Sequence, residues 1–182
     1  MSKLFLTLED NPMFQWLQRY PHFLEIVYDL TETSLRPFKR WLRPGGRTET
    51  LVTAIERAGK RAVFNCKMCG QCVLHSTGMT CPMNCPKHLR NGPCGGVRLD
   101  GTCEVKPSTP CVWAVAYERS LEMPRYGHEF ARLQPPMNNQ LKSTSSWINM
   151  FHGIDVDLPV GWMSTDDILI IRNMEENDAN DR

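Results

Sequence analysis

All eight cysteines of this 182-residue chain lie between Cys66 and Cys111. The run opens as Cys66-Lys-Met-Cys69-Gly-Gln-Cys72, continues as Cys81-Pro-Met-Asn-Cys85-Pro, and ends with Cys94, Cys103 and Cys111. Three thiols spaced by two residues can converge on one inorganic centre, because a short turn aims its amides inward and its sulfurs at one point. Runs that hold a four-iron four-sulfur (4Fe-4S) cluster have this spacing plus a distant cysteine before a proline, and here Cys81 and Cys85 both precede one. Four-cysteine zinc sites instead pair two C-x2-C knuckles across a longer loop. This chain has one triple knuckle, then gaps of eight, three, eight, eight and seven residues, which favours a cluster over a zinc ribbon. Eight thiolates match two 4Fe-4S clusters, or one cluster and one zinc ion.

A disulfide framework is the competing use of eight cysteines. Residues 1–20 carry no secretory signal: the apolar run Leu4-Phe5-Leu6 is short and Glu9 and Asp10 end it. A reducing, cytoplasmic setting and metal ligation are therefore expected.

Hydrophobic content of 41% and charged content of 23% are globular values. No apolar run is long enough to span a membrane, and a net charge of +1 gives no electrostatic case for nucleic acid or an anionic surface as partner. The 13 prolines and 12 glycines concentrate between the cysteines. The expected fold is a small, α-rich, loop-dominated metal-binding domain with an irregular cysteine-rich centre, N-terminal helices and an extended C-terminal arm.

In order, residues 1–60 read as helical. Asn11-Pro12 is a start signal, followed by Met13, Trp16, Leu17 and Tyr20 at helical spacing. Pro21 interrupts; Phe23, Leu24, Val27, Tyr28 and Leu30 form a second stripe, and Leu35, Phe38, Trp41 and Leu42 a third, until Pro44-Gly45-Gly46. A fourth helix is expected from Glu49 to Ala58, capped by Thr48 and closed by Gly59. These stripes either roof the cysteines or present Trp and Tyr side chains to a partner, and Arg36, Lys39, Arg40, Arg43 and Arg47 read as a solvated face. Residues 61–122 form the metal-binding segment, ending in a helix that carries Cys111 at its start. Residues 123–173 read as an extended arm, and 174–182 as a disordered acidic tail.

Enzyme signatures are missing: there is no G-x-G-x-x-G, Walker A, G-x-S-x-G or H-E-x-x-H motif. No catalytic residue is expected. His75 and His88 could each replace a thiolate on zinc, although a histidine beside a cluster more often serves another role. The amides of Gly70, Gly95, Gly96 and Gly101 are candidate hydrogen-bond donors to cofactor sulfur. Lys87 and Arg90 could reach the same sulfurs, and Met68, Met79 and Met83 are expected to pack over them.

The run from Cys66 to Val97, with Gly101-Thr-Cys-Glu-Val105, Cys111-Val-Trp113, Gln134-Pro-Pro136 and Thr144-Ser-Ser-Trp147, resembles the cysteine-rich C-terminal domain of methylenetetrahydrofolate reductases over residues 55–150. That domain occurs fused to a flavin-binding TIM barrel or as the small subunit of a two-subunit reductase in one-carbon metabolism. The resemblance implies Cys66, Cys69, Cys72, Cys81, Cys85, Cys94, Cys103 and Cys111 as metal ligands. A TIM barrel needs about 200 residues or more, and only 65 precede Cys66, so FMN or FAD and the folate site are expected on a partner chain. The resulting expectation is an accessory subunit, inactive alone, whose one or two clusters relay electrons between a carrier such as a ferredoxin and the flavin of a catalytic subunit. The alternative is a zinc-binding scaffold of the same complex without a redox role.

Overall fold

The computed structural model describes residues 15–46, 48–132, 134, 137–157 and 161. Among these, the regular elements are α-helices and short 3-10 turns, with isolated bridges and no strand. Helix α1 spans Pro21–Leu35. Pro21 sits in its first turn, where a missing N–H forfeits no helical hydrogen bond. A 3-10 turn, Gln15–Arg19, precedes it; the start signal at Asn11-Pro12 lies outside the described residues. The third stripe is divided between the end of α1, a 3-10 turn at Arg36–Phe38 and a loop.

Helix α2, Glu49–Phe64, runs past the end expected at Ala58. Gly59 does not close it. An interior glycine costs about 1 kcal/mol relative to alanine, but beyond it Val63 and Phe64 pack against the core. The helix stops at Asn65, left-handed at φ 51°, whose N–H returns to the Arg61 carbonyl. Thr48 occupies the N-cap position without capping; its hydroxyl donates to the Trp41 carbonyl at 2.8 Å.

Both helices depart in part from the polarity expected of a roof, although Leu24 of α1 is buried in the core and Val63 and Phe64 of α2 pack against it. Helix α1 buries Glu25 completely and leaves Phe23, Ile26, Val27 and Leu30 exposed. Helix α2 buries Thr53 and Glu56 and exposes Leu51 and Ile55. Between them lies an open apolar cleft of about 630 Å³, lined by Phe23, Val27, Val52, Ile55, Val63 and Trp147 among others.

The core is built on the cysteine region itself: Leu24, Leu74, Met79, Cys81, Met83 and Met123 pack together, with Phe64, Cys69 and Cys72 against them. Helix α3, Val112–Ser120, starts directly after Cys111, and its Trp113 Nε1 donates to the Leu89 carbonyl at 3.2 Å. The segment expected to extend from residue 125 to 146 is instead a folded strap. It makes 3-10 turns at Gly127–Ala131 and Asn139–Leu141 and enters helix α4, Ser146–His152. The reason is backbone satisfaction: Asn138 N–H donates to Gln71 Oε1 at 2.8 Å, Ser143 N–H to the Met68 carbonyl at 2.8 Å, and Asn149 Nδ2 to the Gly70 carbonyl at 2.8 Å. Trp147, Ile148 and Phe151 of α4 form a second apolar cluster with Leu42. Burial contributes about 1.5–3 kcal/mol for each such side chain. The acidic tail at 174–182 lies outside the described residues, and no helix among those described is long and apolar enough to cross a membrane.

Candidate metal centre

Cys66, Cys69, Cys72 and Cys81 border one small cavity. The loop that supplies the first three is held open by left-handed backbone at Met68 (φ 50°) and Gly70 (φ 77°). At Gly70 only glycine fits, since a Cβ there would stand 2.0 Å from the Leu141 carbonyl oxygen. Met68 N–H donates to Cys66 Sγ at 3.3 Å. Gln71, fully buried, ties the loop to the strap: its Nε2 donates to the Asp155 carbonyl at 2.7 Å, while its Oε1 accepts from Asn138. Cys81 arrives from the far side, immediately before a 3-10 turn at Pro82–Asn84.

All eight cysteines are free thiols. Burial pushes Cys66 up to about 11 and raises Cys69 and Cys81, and the neighbouring cysteines of the group add to each shift. Cysteine thiols desolvated in this way are a set that a cation would convert to thiolates. Two cationic side chains border the same cavity, Lys60 and Arg90. Lys60 Nζ donates to Glu56 Oε1 at 2.7 Å and to Ser146 Oγ at 2.6 Å, and lies 5.0 Å from the centroid of the Trp147 ring. Burial works against its charge, but Cys72 and Glu56 attract the ammonium and its proton affinity ends well above the usual lysine value. Arg90, also buried, donates to the Gln71 carbonyl at 3.0 Å.

Among the described residues no group of three or more His, Cys, Asp or Glu side chains is arranged to hold a metal ion. Cys66, Cys69, Cys72 and Cys81 nonetheless line one cavity, and four cysteine thiolates are a donor set for either an iron–sulfur cluster or a zinc ion.

The other four cysteines lie apart from that cavity. Cys85, Cys103 and Cys111 are buried and Cys94 is exposed. Isolated antiparallel bridges, Val97 with Cys103 and Thr102 with Pro110, fold residues 97–110 together, and Cys111 N–H donates to the Gly101 carbonyl at 2.9 Å. Gly96 N–H donates to Cys94 Sγ at 3.3 Å, and Lys87 Nζ reaches the same sulfur at 3.6 Å while pairing with Glu104.

The predicted glycine donors divide. Gly96 bonds a cysteine sulfur, whereas the Gly101 amide goes to the Arg98 carbonyl at 2.9 Å. Gly70 acts through its conformation and its carbonyl, and Gly95 supplies a left-handed turn at φ 76°. Neither histidine borders the cavity. His75 pairs with Glu129 at 3.2 Å between Tyr28 and Tyr126, and burial lowers its pKa; His88 is exposed. Met68 and Met83 line the cavity and Met79 packs in the core beside it. Sequence reasoning missed Glu56 and Lys60, which share one helix face at i and i+4 but lie outside the cysteine run.

Helices and cysteine loops arranged in this way define a cysteine-rich domain, without strands among the described residues, whose core includes its candidate ligands. The chain belongs to the family described as methylene-tetrahydrofolate reductase C terminal, whose profile matches residues 46–140. The match covers α2, every cysteine and α3, and stops short of α4, so the resemblance carried by the cysteine spacing holds. No curated protein and no solved structure matches the chain.

Proposed function

We propose that this chain is the iron–sulfur accessory component of a methylenetetrahydrofolate reductase, relaying single electrons to or from a flavin on a separate catalytic chain. The observation that carries this reading is the convergence of Cys66, Cys69, Cys72 and Cys81 on one cavity beside Lys60 and Arg90. These four residues would hold one 4Fe-4S cluster, and Cys85, Cys94, Cys103 and Cys111 are left for a second centre, of iron–sulfur or zinc. When bound, such a cluster supplies one-electron chemistry.

The chain's own residues supply the surroundings. Phe64, Leu74, Met68 and Met83 line the cavity and restrict water, which strengthens every charge interaction inside it. Lys60 and Arg90 offset the charge of the thiolates, and the Met68 amide bonds one of them. The flavin and folate sites belong to the partner, and an electron carrier of the ferredoxin kind is the expected second partner.

The test is metal and acid-labile sulfide content after anaerobic purification, with electron paramagnetic resonance of the reduced protein. About four or eight irons with equal sulfide and a cluster signal bear the reading out. Zinc alone, in a colourless protein without a redox transition, replaces it with the scaffold reading.

A further inference from the structure

Buried lysine is costly, and its burial here is organised. The Lys60 side chain is 11% exposed and that of Glu56 3%. The carboxylate is engaged on the side of α4, where Ser145 Oγ donates to Oε2 at 2.6 Å and Ser146 N–H to Oε1 at 3.2 Å. Lys60 and Glu56 both border the cysteine cavity, so a buried positive and a buried negative charge stand beside the sulfurs.

Resting on the 4Fe-4S reading above, we propose that Lys60 sets the reduction potential of the centre held by Cys66, Cys69, Cys72 and Cys81, with Glu56 as the residue that positions and moderates its charge. Reduction adds one negative charge to the centre. A fixed positive charge in a site screened from water stabilises the reduced form more than the oxidised form and so raises the potential; a fixed carboxylate does the opposite. Arg90 contributes a second positive charge, but its guanidinium also braces the cysteine loop through the Gln71 carbonyl, so Lys60 is the cleaner variable.

The experiment uses the full chain, purified anaerobically, with iron and sulfide counted before a redox titration followed by electron paramagnetic resonance. Lys60→Met is expected to lower the midpoint potential, Glu56→Gln to raise it, and Lys60→Arg to stay close to the parent. Opposite shifts from the two ends of one ion pair are a signature that a merely structural role does not produce. Parent protein without iron sinks the proposed function, and this inference with it, before any potential is read. Iron retained with an unchanged midpoint in Lys60→Met overturns the inference alone. If Lys60→Met loses its iron, Glu56→Gln decides: a raised midpoint supports the proposal and an unchanged one overturns it. Loss of iron from both also overturns it, because the pair would then be holding the ligands in place instead of tuning the centre.

Discussion

Ser145 Oγ donates to Glu56 Oε2 at 2.6 Å, joining residues 89 positions apart in a site closed to solvent. The same hydroxyl accepts from Ile148 N–H at 3.3 Å and so caps α4. One hydroxyl can donate once and accept twice, and here it fastens the last helix to α2 beside the cysteine cavity. Ser145→Ala removes both bonds. The cap is worth about 1 kcal/mol and a hydrogen bond to a charged group about 1.5–3 kcal/mol, so a loss of about 2–3 kcal/mol is expected in denaturant unfolding. A loss below about 0.5 kcal/mol would show that the contact is not formed in solution.

The same junction gives a pH dependence. Burial pushes the Glu56 carboxyl up, but the Lys60 charge and hydrogen bonds from Lys60, Ser145 and Ser146 outweigh it and hold the group below its ordinary 4.5. A depressed folded-state pKa contributes stability that is complete above the unfolded value and is lost as pH falls through the folded one. Wild type and Glu56→Gln should therefore differ by a constant margin at neutral pH, and the margin should narrow below about pH 4.5. Unfolding midpoints of both proteins along an acid series measure it; a margin that instead narrows with rising pH contradicts the assignment.

Gly70→Ala tests the loop geometry. The backbone is left-handed there and an added Cβ meets the Leu141 carbonyl at 2.0 Å. Neither atom can move without displacing the cysteine loop or the strap. A cost of about 3 kcal/mol or more is expected, together with loss of metal. Gly95→Ala, also left-handed but with no atom within 4 Å of the added carbon, should cost about 1 kcal/mol. Thermal unfolding of the two variants side by side ranks them, and equal costs would refute the close approach at Gly70.

Cysteine grouping is measurable by substitution. Cys81→Ser is expected to remove about four irons per chain, since Cys81 borders the cavity with the triple knuckle. Cys94→Ser should leave that complement intact, because Cys94 is exposed and lies outside it. Iron analysis and the resonance signal of each variant decide. If Cys94→Ser abolishes the first centre's signal while Cys81→Ser spares it, the grouping is wrong.

Glu25 carries a further prediction. Fully buried, its Oε1 accepts from the Arg125 and Tyr126 amides at 2.9 and 2.7 Å, and its Oε2 pairs with His22 at 3.0 Å. Glu25→Ala removes the acceptor of two part-buried backbone donors. Each unsatisfied group costs about 1–3 kcal/mol, so destabilisation by about 2–5 kcal/mol is expected by denaturant titration, and a neutral result would mean that the turn at residue 125 is not docked on α1.

The helices of this protein were partly legible from apolar spacing, and their ends less so. Gly59 reads as a stop because glycine is a poor interior residue, yet α2 continues to Phe64 because Val63 and Phe64 have a core to enter. The inward faces of α1 and α2 were legible only in part. The predicted stripe does place Leu24 in the core with Tyr28 against it, but it also counts Phe23 and Leu30, which are exposed, and misses Glu25 and Glu56, whose partners lie on segments about 100 and 90 residues away.

Sequence by itself determined the thiol set and the family, because knuckle spacing is a local property that the chain carries without reference to its fold. It also marked Gly70, Gly95, Gly96 and Gly101 as candidate donors to sulfur, of which Gly96 bonds a cysteine sulfur. Only the tertiary structure decided that Cys81 borders the same cavity as Cys66, Cys69 and Cys72, that residues 137–157 fold back as a strap, and that a lysine from α2 borders that cavity. Each of those outcomes depends on satisfying a buried donor or charge with a partner remote in sequence, and no local pattern specifies which partner that will be.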